Sequence, residues 1–371
     1  TGGEQMQKIS VSLLETGMIT SRNVFGADGQ LLLGDGVKLT NNYIKRLKEM
    51  GIPAVYIQND YLKDVEVPLV LAEETRVKAI FTVQAAFGEF QKYKRISLNK
   101  LNAVAKLLID EIILNSKSMV HLTDIRTYDD YTFGHSVNVC VLSVLTGITL
   151  GYNELKLKEL ALGALLHDVG KIAVPVEILN KPGKLNDEEM AVMQKHSEQG
   201  FEILRKNPEI SLLVSHVAFQ HHERYNGSGY PRGLCGQDIH EYARIVALAD
   251  MYDAMTADRS YRKAMPPHAA YEILLASSQY HFDIDILRVF ISNIAIYPVG
   301  SVVELNNGSF GIVVKVQAEL QTRPTVQLID IQSGRKGKLL DLTNNLTIFV
   351  SKVLNESETI AFWHSLSSKD S

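Results

Sequence analysis

The residues most able to carry chemistry are five of the eleven histidines together with two aspartates. They are His135, His167, Asp168, His196, His221, His222 and Asp250. Imidazole and carboxylate donors together suit divalent ions such as Fe, Mn, Ni, Co and Zn. A carboxylate can also bridge two ions, and an adjacent His-Asp pair can offer one ligand to each. These residue types therefore predict a metal site.

The surroundings of the two adjacent pairs strengthen this prediction. His167 and Asp168 follow the nearly all-apolar segment 159–166, so a buried pair here must be hydrogen-bonded or bound to metal. A hydrogen-bonded helix terminus is the alternative for that pair alone. The His221-His222 pair runs into a loop with two glycines, which permit close approach of the backbone to a ligand. Together the settings favour metal binding by the whole set.

Residues 125–296 resemble the HD-GYP family, a bacterial branch of the HD metal-dependent phosphohydrolases. The family's motifs occur here in order, and they are His135, His167-Asp168-Val-Gly-Lys171, His196, His221-His222-Glu223, Gly229-Tyr230-Pro231, and Asp250 followed by Asp253, Arg259 and Arg262. The resemblance implies an all-α bundle with the metal site in its middle. It also implies hydrolysis of cyclic di-GMP to linear pGpG and on to GMP.

The resemblance implies two ligand sets that share one carboxylate. The first ion is expected at His135, His167, Asp168 and Asp250. The second ion is expected at Asp168, His196, His221 and His222, so that Asp168 bridges the two. Iron or manganese is expected by resemblance, with nickel, cobalt or zinc as substitutes.

The segment before His135 argues against a third metal. Some family members carry a glutamate four residues before this histidine, and here that position is Tyr131. A neutral phenol with a pKa near 10 is a poor ligand for such ions at pH 7. Asp129 and Asp130 are rotated off the helix face of His135 and suit the start of the helix, where negative charge is favoured. The prediction is two metals per chain.

The requirements of phosphodiester hydrolysis suggest the following roles for Asp168 and the remaining motif residues. A hydroxide between two metals attacks phosphorus, and Asp168 holds both metals. Lys171 is expected to neutralise a phosphate oxygen, or else is an ordinary surface lysine. Arg259 and Arg262 bind phosphate or guanine bidentately, or form structural ion pairs. Tyr230 stacks on a base or binds phosphate, or its loop only shapes the pocket wall.

Composition narrows the remaining classes. The 371 residues are 46% apolar and 22% charged, which excludes a largely disordered chain. The net charge of −4 excludes a basic protein that binds polymeric nucleic acid through its overall charge. Two cysteines are too few for a disulfide scaffold and suit a reducing cytoplasm. There is no secretory signal, and the longest apolar run, 137–150, falls short of the roughly 18 residues of a membrane span. A cytoplasmic protein without a membrane span is expected.

The hydrophobic patterns predict a mainly α protein of four parts. Residues 1–70 form a small mixed α/β unit, with a hairpin around Leu31–Leu33 and a helix capped by Thr40. Residues 71–124 form a helical linker between the domains, which carries a homodimer interface or only covers the next domain. Residues 125–296 form the HD-type bundle. Residues 297–371 form a β-rich module, with period-two strands in 297–352, that lacks the sequence motifs of a PilZ receptor.

Three functions remain open from the residues. The first is an active cyclic di-GMP phosphodiesterase. The second is a sensor that binds the nucleotide without hydrolysing it and signals through the flanking domains. Loss of a ligand or of Lys171 would favour the sensor, and neither is lost. The third is a hydrolase of another cyclic dinucleotide, since the metals act on any phosphodiester.

Overall fold

The structure is a computed structural model that describes residues 6–26, 30–52, 54–63, 65, 69–94, 96–116, 131–257, 264–278, 280–317 and 319–367, without the side chains of residues 6, 131, 132 and 367. Within these ranges the chain is mainly helical and ends in an antiparallel sheet module, which confirms the predicted fold class.

The N-terminal unit is built on a pair of antiparallel strands. Its elements are β1 (Met6–Ser10), β2 (Val24–Phe25), β3 (Leu31–Leu33), α1 (Asn41–Glu49) and β4 (Ala54–Gln58). Strand β1 pairs with β4, and β2 pairs with β3 as the predicted hairpin. Helix α1 begins after Thr40, whose hydroxyl accepts from the Tyr43 amide at 3.3 Å, and it ends before Gly51, which has a φ of 72°. Thr40 thus supplies the predicted helix start, and Gly51 supplies the stop.

The helical body follows. Its elements are α2 (Glu73–Tyr93), α3 (Leu98–Leu114), α4 (Tyr131–Thr149), α5 (Glu154–Leu166), α6 (Val176–Leu179), α7 (Asp187–Gln194), α8 (His196–Leu204), α9 (Leu212–Gln220), α10 (Glu241–Thr256), α11 (Pro267–Ser277) and α12 (Ile284–Ser292). A short 3-10 helix, Val169–Ala173, lies between α5 and α6.

Helices α2 and α3 share one hydrophobic core with the helices of the bundle. Val83 of α2 and Leu101 of α3 are fully buried in the same cluster as Leu142 of α4 and Leu165 of α5. This packing supports the alternative in which residues 71–124 cover the following domain, and a homodimer interface there stays a prediction. Helix α4 contains residues 137–149 of the apolar run 137–150 and is buried along most of its length. Within the described ranges, no helix combines the length and apolar character that crossing a membrane requires.

The C-terminal module is a five-stranded antiparallel sheet with a final helix. Its elements are β5 (Val302–Leu305), β6 (Phe310–Lys315), β7 (Thr325–Ile329), β8 (Lys336–Asp341), β9 (Val350–Val353) and α13 (Glu356–Ser367). The strand order is β8-β7-β6-β5-β9. The period-two runs anticipated β5 to β8, whereas β9 and α13 were not predicted.

The two ends of the chain meet in a joint hydrophobic cluster. Trp363 of α13 stacks on Tyr61 with ring centroids 4.6 Å apart, and its indole N–H donates to the Gln7 side chain at 3.1 Å. Leu62 packs in the same cluster as Val302 of β5. Residues predicted as two separate accessory units therefore pack against each other.

Candidate metal centre

Five helices deliver the predicted ligands to one place. His135 lies on α4 and Asp250 on α10, while the other five residues stand at helix ends. His167 is the C-cap residue of α5, with Asp168 next, and His221 is the C-cap residue of α9, with His222 next. His196 begins α8. Because the helices that end here are buried along their length, their terminal side chains converge inside the bundle.

All seven side chains fall into two groups. Within each group the donor atoms lie within 4.8 Å of one another. The first group is His135, His167 and Asp250, and the second is Asp168, His196, His221 and His222. The described part of the chain thus brings every predicted metal ligand into one centre. The assignment of each ligand to an individual ion stays a prediction.

Asp168 lies between the two groups. Its Oδ2 is 3.3 Å from Nε2 of His167 and 3.9 Å from Nε2 of His135. Its Oδ1 is 3.5 Å from Nε2 of His196 and 3.8 Å from Nε2 of His221. Each carboxylate oxygen therefore faces histidines of one group, which is the arrangement a bridging ligand needs.

Hydrogen bonds at Nδ1 orient four of the imidazoles. His167 Nδ1 is 2.7 Å from the Ala164 carbonyl oxygen, and the corresponding Nδ1 contacts of His196 and His221 are to backbone carbonyls three residues earlier. His135 Nδ1 is 2.6 Å from Oδ2 of Asp253. Since a carbonyl or carboxylate oxygen only accepts, Nδ1 carries the proton and Nε2 is directed toward the other ligands. This outer-shell support is typical of histidine metal ligands.

Asp253 is a functional residue to which the sequence analysis assigned no role. It is buried, and its two oxygens contact His135 and Asn138. The available signal was its place three residues after Asp250, which puts it on the same face of α10. That spacing alone did not indicate which ligand it would hold, because His135 belongs to another helix.

The electrostatics keep most donors in the form that binds metal. Burial lowers the pKa of His222 to about 3 and lowers the pKa values of His196 and His221, so these imidazoles are neutral. Burial opposes ionisation of Asp168, but the Lys171 ammonium and His167 outweigh it and hold its pKa well below the usual range. His135 differs, since Asp250 and Asp253 outweigh burial and raise its pKa to about 10. A metal at His135 must displace that proton.

Two orphaned atoms show that these residues fit a metal. Nε2 of His167 and Oδ1 of Asp168 are buried and have no hydrogen-bond partner among the described residues. Buried polar atoms in folded proteins are nearly always paired. Divalent cations between the two donor groups would satisfy both atoms, and imidazole with carboxylate is a donor set that such cations accept.

Lys171 lies next to the centre in the 3-10 helix that follows Asp168. Its Nζ is 2.5 Å from Asp168 Oδ2, and its side chain is 24% exposed. The 3-10 helix packs tightly on α8, because a Cβ at Gly170 would lie 1.9 Å from the carbonyl oxygen of His196. Lys171 is therefore an ion-paired lysine at the edge of the site, and its contact with phosphate stays a prediction.

Tyr230 covers one side of the site. Its ring centroid is 4.7 Å from that of His222 and 6.5 Å from that of His196. Burial and the carboxylates of Asp168 and Asp250 raise its pKa, so the phenol is neutral. The buried Glu223 carboxylate accepts from the backbone amides of Arg232 at 2.8 Å and Leu234 at 3.0 Å. Glu223 thereby closes the loop that holds Tyr230 over the histidines.

We expect Glu223→Gln to loosen this loop without removing metal. The amide would present a donor to one of the two backbone N–H groups, and losing a charge-assisted hydrogen bond costs about 1–3 kcal/mol of folding free energy. Urea unfolding measures the loss, and elemental analysis measures the metal. Glu198→Gln, at an exposed site on α8, is the control and should unfold like the wild type. Equal stability of the two variants would contradict the role of Glu223.

Some predicted residues lie outside the described part of the chain. They are Arg259 and Arg262, expected to bind substrate, and Asp129 and Asp130, expected to begin the helix before His135. The side chain of Tyr131 is likewise not described. The roles predicted for these residues stay predictions.

Comparison with known proteins agrees with this fold and site. Residues 109–286 match the HD domain, and residues 302–362 match the KOW domain associated with HD domain. The helical fold and the paired donor groups are those of an HD domain, the domain of the metal-dependent HD phosphohydrolases. The comparisons also confirm the resemblance to the HD-GYP family that the motifs predicted.

Two curated relatives and one solved structure illustrate the likeness. The chain is 36% identical over 265 residues to the cyclic di-GMP phosphodiesterase PA4108 of Pseudomonas aeruginosa, covering 70% of this chain and 64% of the relative. It is 40% identical over 169 residues to the 3'3'-cGAMP-specific phosphodiesterase 1 of Vibrio cholerae, covering 46% and 38%. The matches thus span less than two thirds of each relative. Bd1817 of Bdellovibrio bacteriovorus shares the fold, with a TM-score of 0.50 at 21% identity over 77% of this chain and 98% of that one.

Proposed function

We propose that this protein is a metal-dependent phosphodiesterase that hydrolyses cyclic di-GMP to pGpG or GMP. The observation that carries the proposal is the pair of donor groups with Asp168 between them, each oxygen facing one group. The identity to a relative named as a cyclic di-GMP phosphodiesterase supports the choice of substrate.

The proposed centre holds two divalent ions, iron or manganese by family resemblance, on the ligand sets predicted above. When bound, such ions generate a nucleophile near neutral pH and neutralise charge on the phosphate. Asp168 orients both ligand sets, and the neutral His196, His221 and His222 offer lone pairs without competing protons. Elemental analysis of anaerobically purified protein should give two ions per chain.

The surrounding residues prepare the substrate side. Lys171 is held at the edge of the site by Asp168 and is partly exposed, so its ammonium can meet a phosphate oxygen. Tyr230 offers a ring for a base and a neutral hydroxyl that can donate to a phosphate. We include Arg259 and Arg262 as further substrate contacts on the strength of the family motif.

The experiment that tests this function should include a second substrate, because another relative is named as specific for 3'3'-cGAMP. Metal-loaded protein would be incubated separately with cyclic di-GMP, 3'3'-cGAMP and cyclic di-AMP, and products would be separated by chromatography. A chelator-treated sample is the control. We expect turnover of cyclic di-GMP. Turnover of cGAMP alone would establish the alternative substrate, and binding without turnover would establish a sensor.

A further inference from the structure

Arg76 is a buried cation far from the described motifs in sequence. It lies in the first turns of α2, upstream of the part of the chain that matches the HD domain, and its side chain is 1% exposed. Burying a guanidinium is costly unless it is paired. Its nearest described carboxylate is Glu73, whose Oε2 is 3.9 Å from Nε. That distance exceeds a hydrogen bond, so Glu73 alone does not explain the burial.

A chain of hydrogen bonds leads from Arg76 to the metal centre. Its Nη1 donates to Oδ1 of Asn138 at 2.8 Å. Nδ2 of Asn138 donates to Oδ1 of Asp253 at 3.0 Å, and Oδ2 of Asp253 lies 2.6 Å from Nδ1 of His135. All three intermediate contacts are buried. The four residues come from three helices, α2, α4 and α10.

The hydrogen-bonding capacity of Arg76 and Asp253 fixes the orientation of each side chain in this series of hydrogen bonds. A guanidinium only donates, so it selects the oxygen of the Asn138 amide. The amide nitrogen must then face Asp253, whose carboxylate only accepts. With Oδ1 occupied by Asn138, Oδ2 is the atom that receives the proton of His135 Nδ1. His135 consequently presents Nε2 to the centre, 3.1 Å from Oδ1 of Asp250.

We propose that Arg76 is a positioning residue for the metal ligand His135, so that a helix outside the matched HD domain completes the support of the centre. Without Arg76, the Asn138 amide can turn over and present its oxygen to Asp253, which repels that carboxylate and frees it to rotate. The inference rests on the proposed metal centre, and it extends that centre by Arg76 and Asn138, which lie in none of the family motifs.

The entry to α2 is anchored well enough to transmit this support. Val70 and Leu71, just before the helix, are buried in the same core as α4 and α10. The Ala72 amide donates to Oε1 of Glu111 on α3 at 2.5 Å. Arg76 therefore extends from a packed helix end, and its position relative to Asn138 is set by tertiary packing.

The test is a titration of metal-free protein with Mn²⁺, in which free Mn²⁺ is followed by electron paramagnetic resonance. Outer-shell changes typically weaken metal binding about 10- to 100-fold. We expect Arg76→Met to weaken one of the two sites about tenfold and leave the other unchanged. Arg76→Lys keeps the charge and a donor nitrogen and should recover part of the loss. Val83→Ala, which removes core packing from the same helix, should titrate like the wild type.

A double variant separates positioning from folding. Arg76→Met with Asn138→Leu removes both members of the first hydrogen bond, so neither of them is left as an unpaired buried group, and Asp253 loses one donor. We expect this variant to fold and to show the same weakening of one Mn²⁺ site. It therefore replaces Arg76→Met in the titration if that single variant does not fold. Wild-type affinity in either folded variant would refute the role of Arg76. A wild-type protein that binds no Mn²⁺ would instead refute the proposed centre.

Discussion

Asp168→Ala should remove both metals and reduce hydrolysis to the background rate. Asp168 lies within 4 Å of two histidine nitrogens of each donor group, whereas Asp250 is 3.1 Å from His135 and reaches the other group only at His222, 3.9 Å away. Without its charge, two cations would be held close together with no anion between them, which Coulomb repulsion opposes strongly in a buried site. Metal content by elemental analysis and product by chromatography measure the two effects.

The matched control is Asp250→Ala. Asp250 belongs to one donor group and is 3.1 Å from Nε2 of His135. Its loss should lower metal content toward one ion per chain, whereas the loss of Asp168 should lower it toward zero. Equal metal contents in the two variants would show that Asp168 does not bridge. Full activity in Asp168→Ala would overturn the assignment altogether.

Lys171→Met should slow turnover about 10²- to 10³-fold, the usual effect of losing one preorganised electrostatic partner of a transition state. Metal content should not fall, because Lys171 is a cation and its removal cannot weaken the attraction of Asp168 for metal ions. The rate at saturating substrate measures the first effect, and elemental analysis measures the second.

Lys181→Met is the control for losing a paired lysine on a neighbouring segment. Its Nζ lies 2.6 Å from Oε2 of Glu189, outside the metal centre. This variant should turn over substrate like the wild type. If Lys171→Met also kept the wild-type rate, Lys171 would serve only as a partner of Asp168 and would not contact the phosphate.

Local signals in the sequence predicted helix boundaries correctly where a single residue sets the boundary. Thr40 and Gly51 bound α1 because a hydroxyl cap and a positive φ act within a single turn. Strands β5 to β8 follow the period-two runs, since one face of that sheet is buried. Strand β9 and α13 lacked such a signal, because their burial depends on β5 and on the distant Tyr61.

Within the metal centre, too, some features follow from the local sequence and others from tertiary contacts. Adjacent pairs such as His167-Asp168 and His221-His222 predict metal binding when they are taken together, because adjacency places two donors at one helix end. The position of Lys171, by contrast, was not predicted from the sequence. It lies in a 3-10 helix against Asp168, since Gly170 lets that segment touch the backbone of His196.

The sequence by itself determined which residues are candidate metal ligands and on which kinds of element they lie, because motif spacing and hydrophobic period are properties of short segments. Only the tertiary structure decided which oxygen of Asp168 faces which histidines. It also decided that Asp253, Asn138 and Arg76 support His135. Those contacts join helices that are far apart in the chain, and their geometry follows from how the helices pack in the core, which no local pattern encodes.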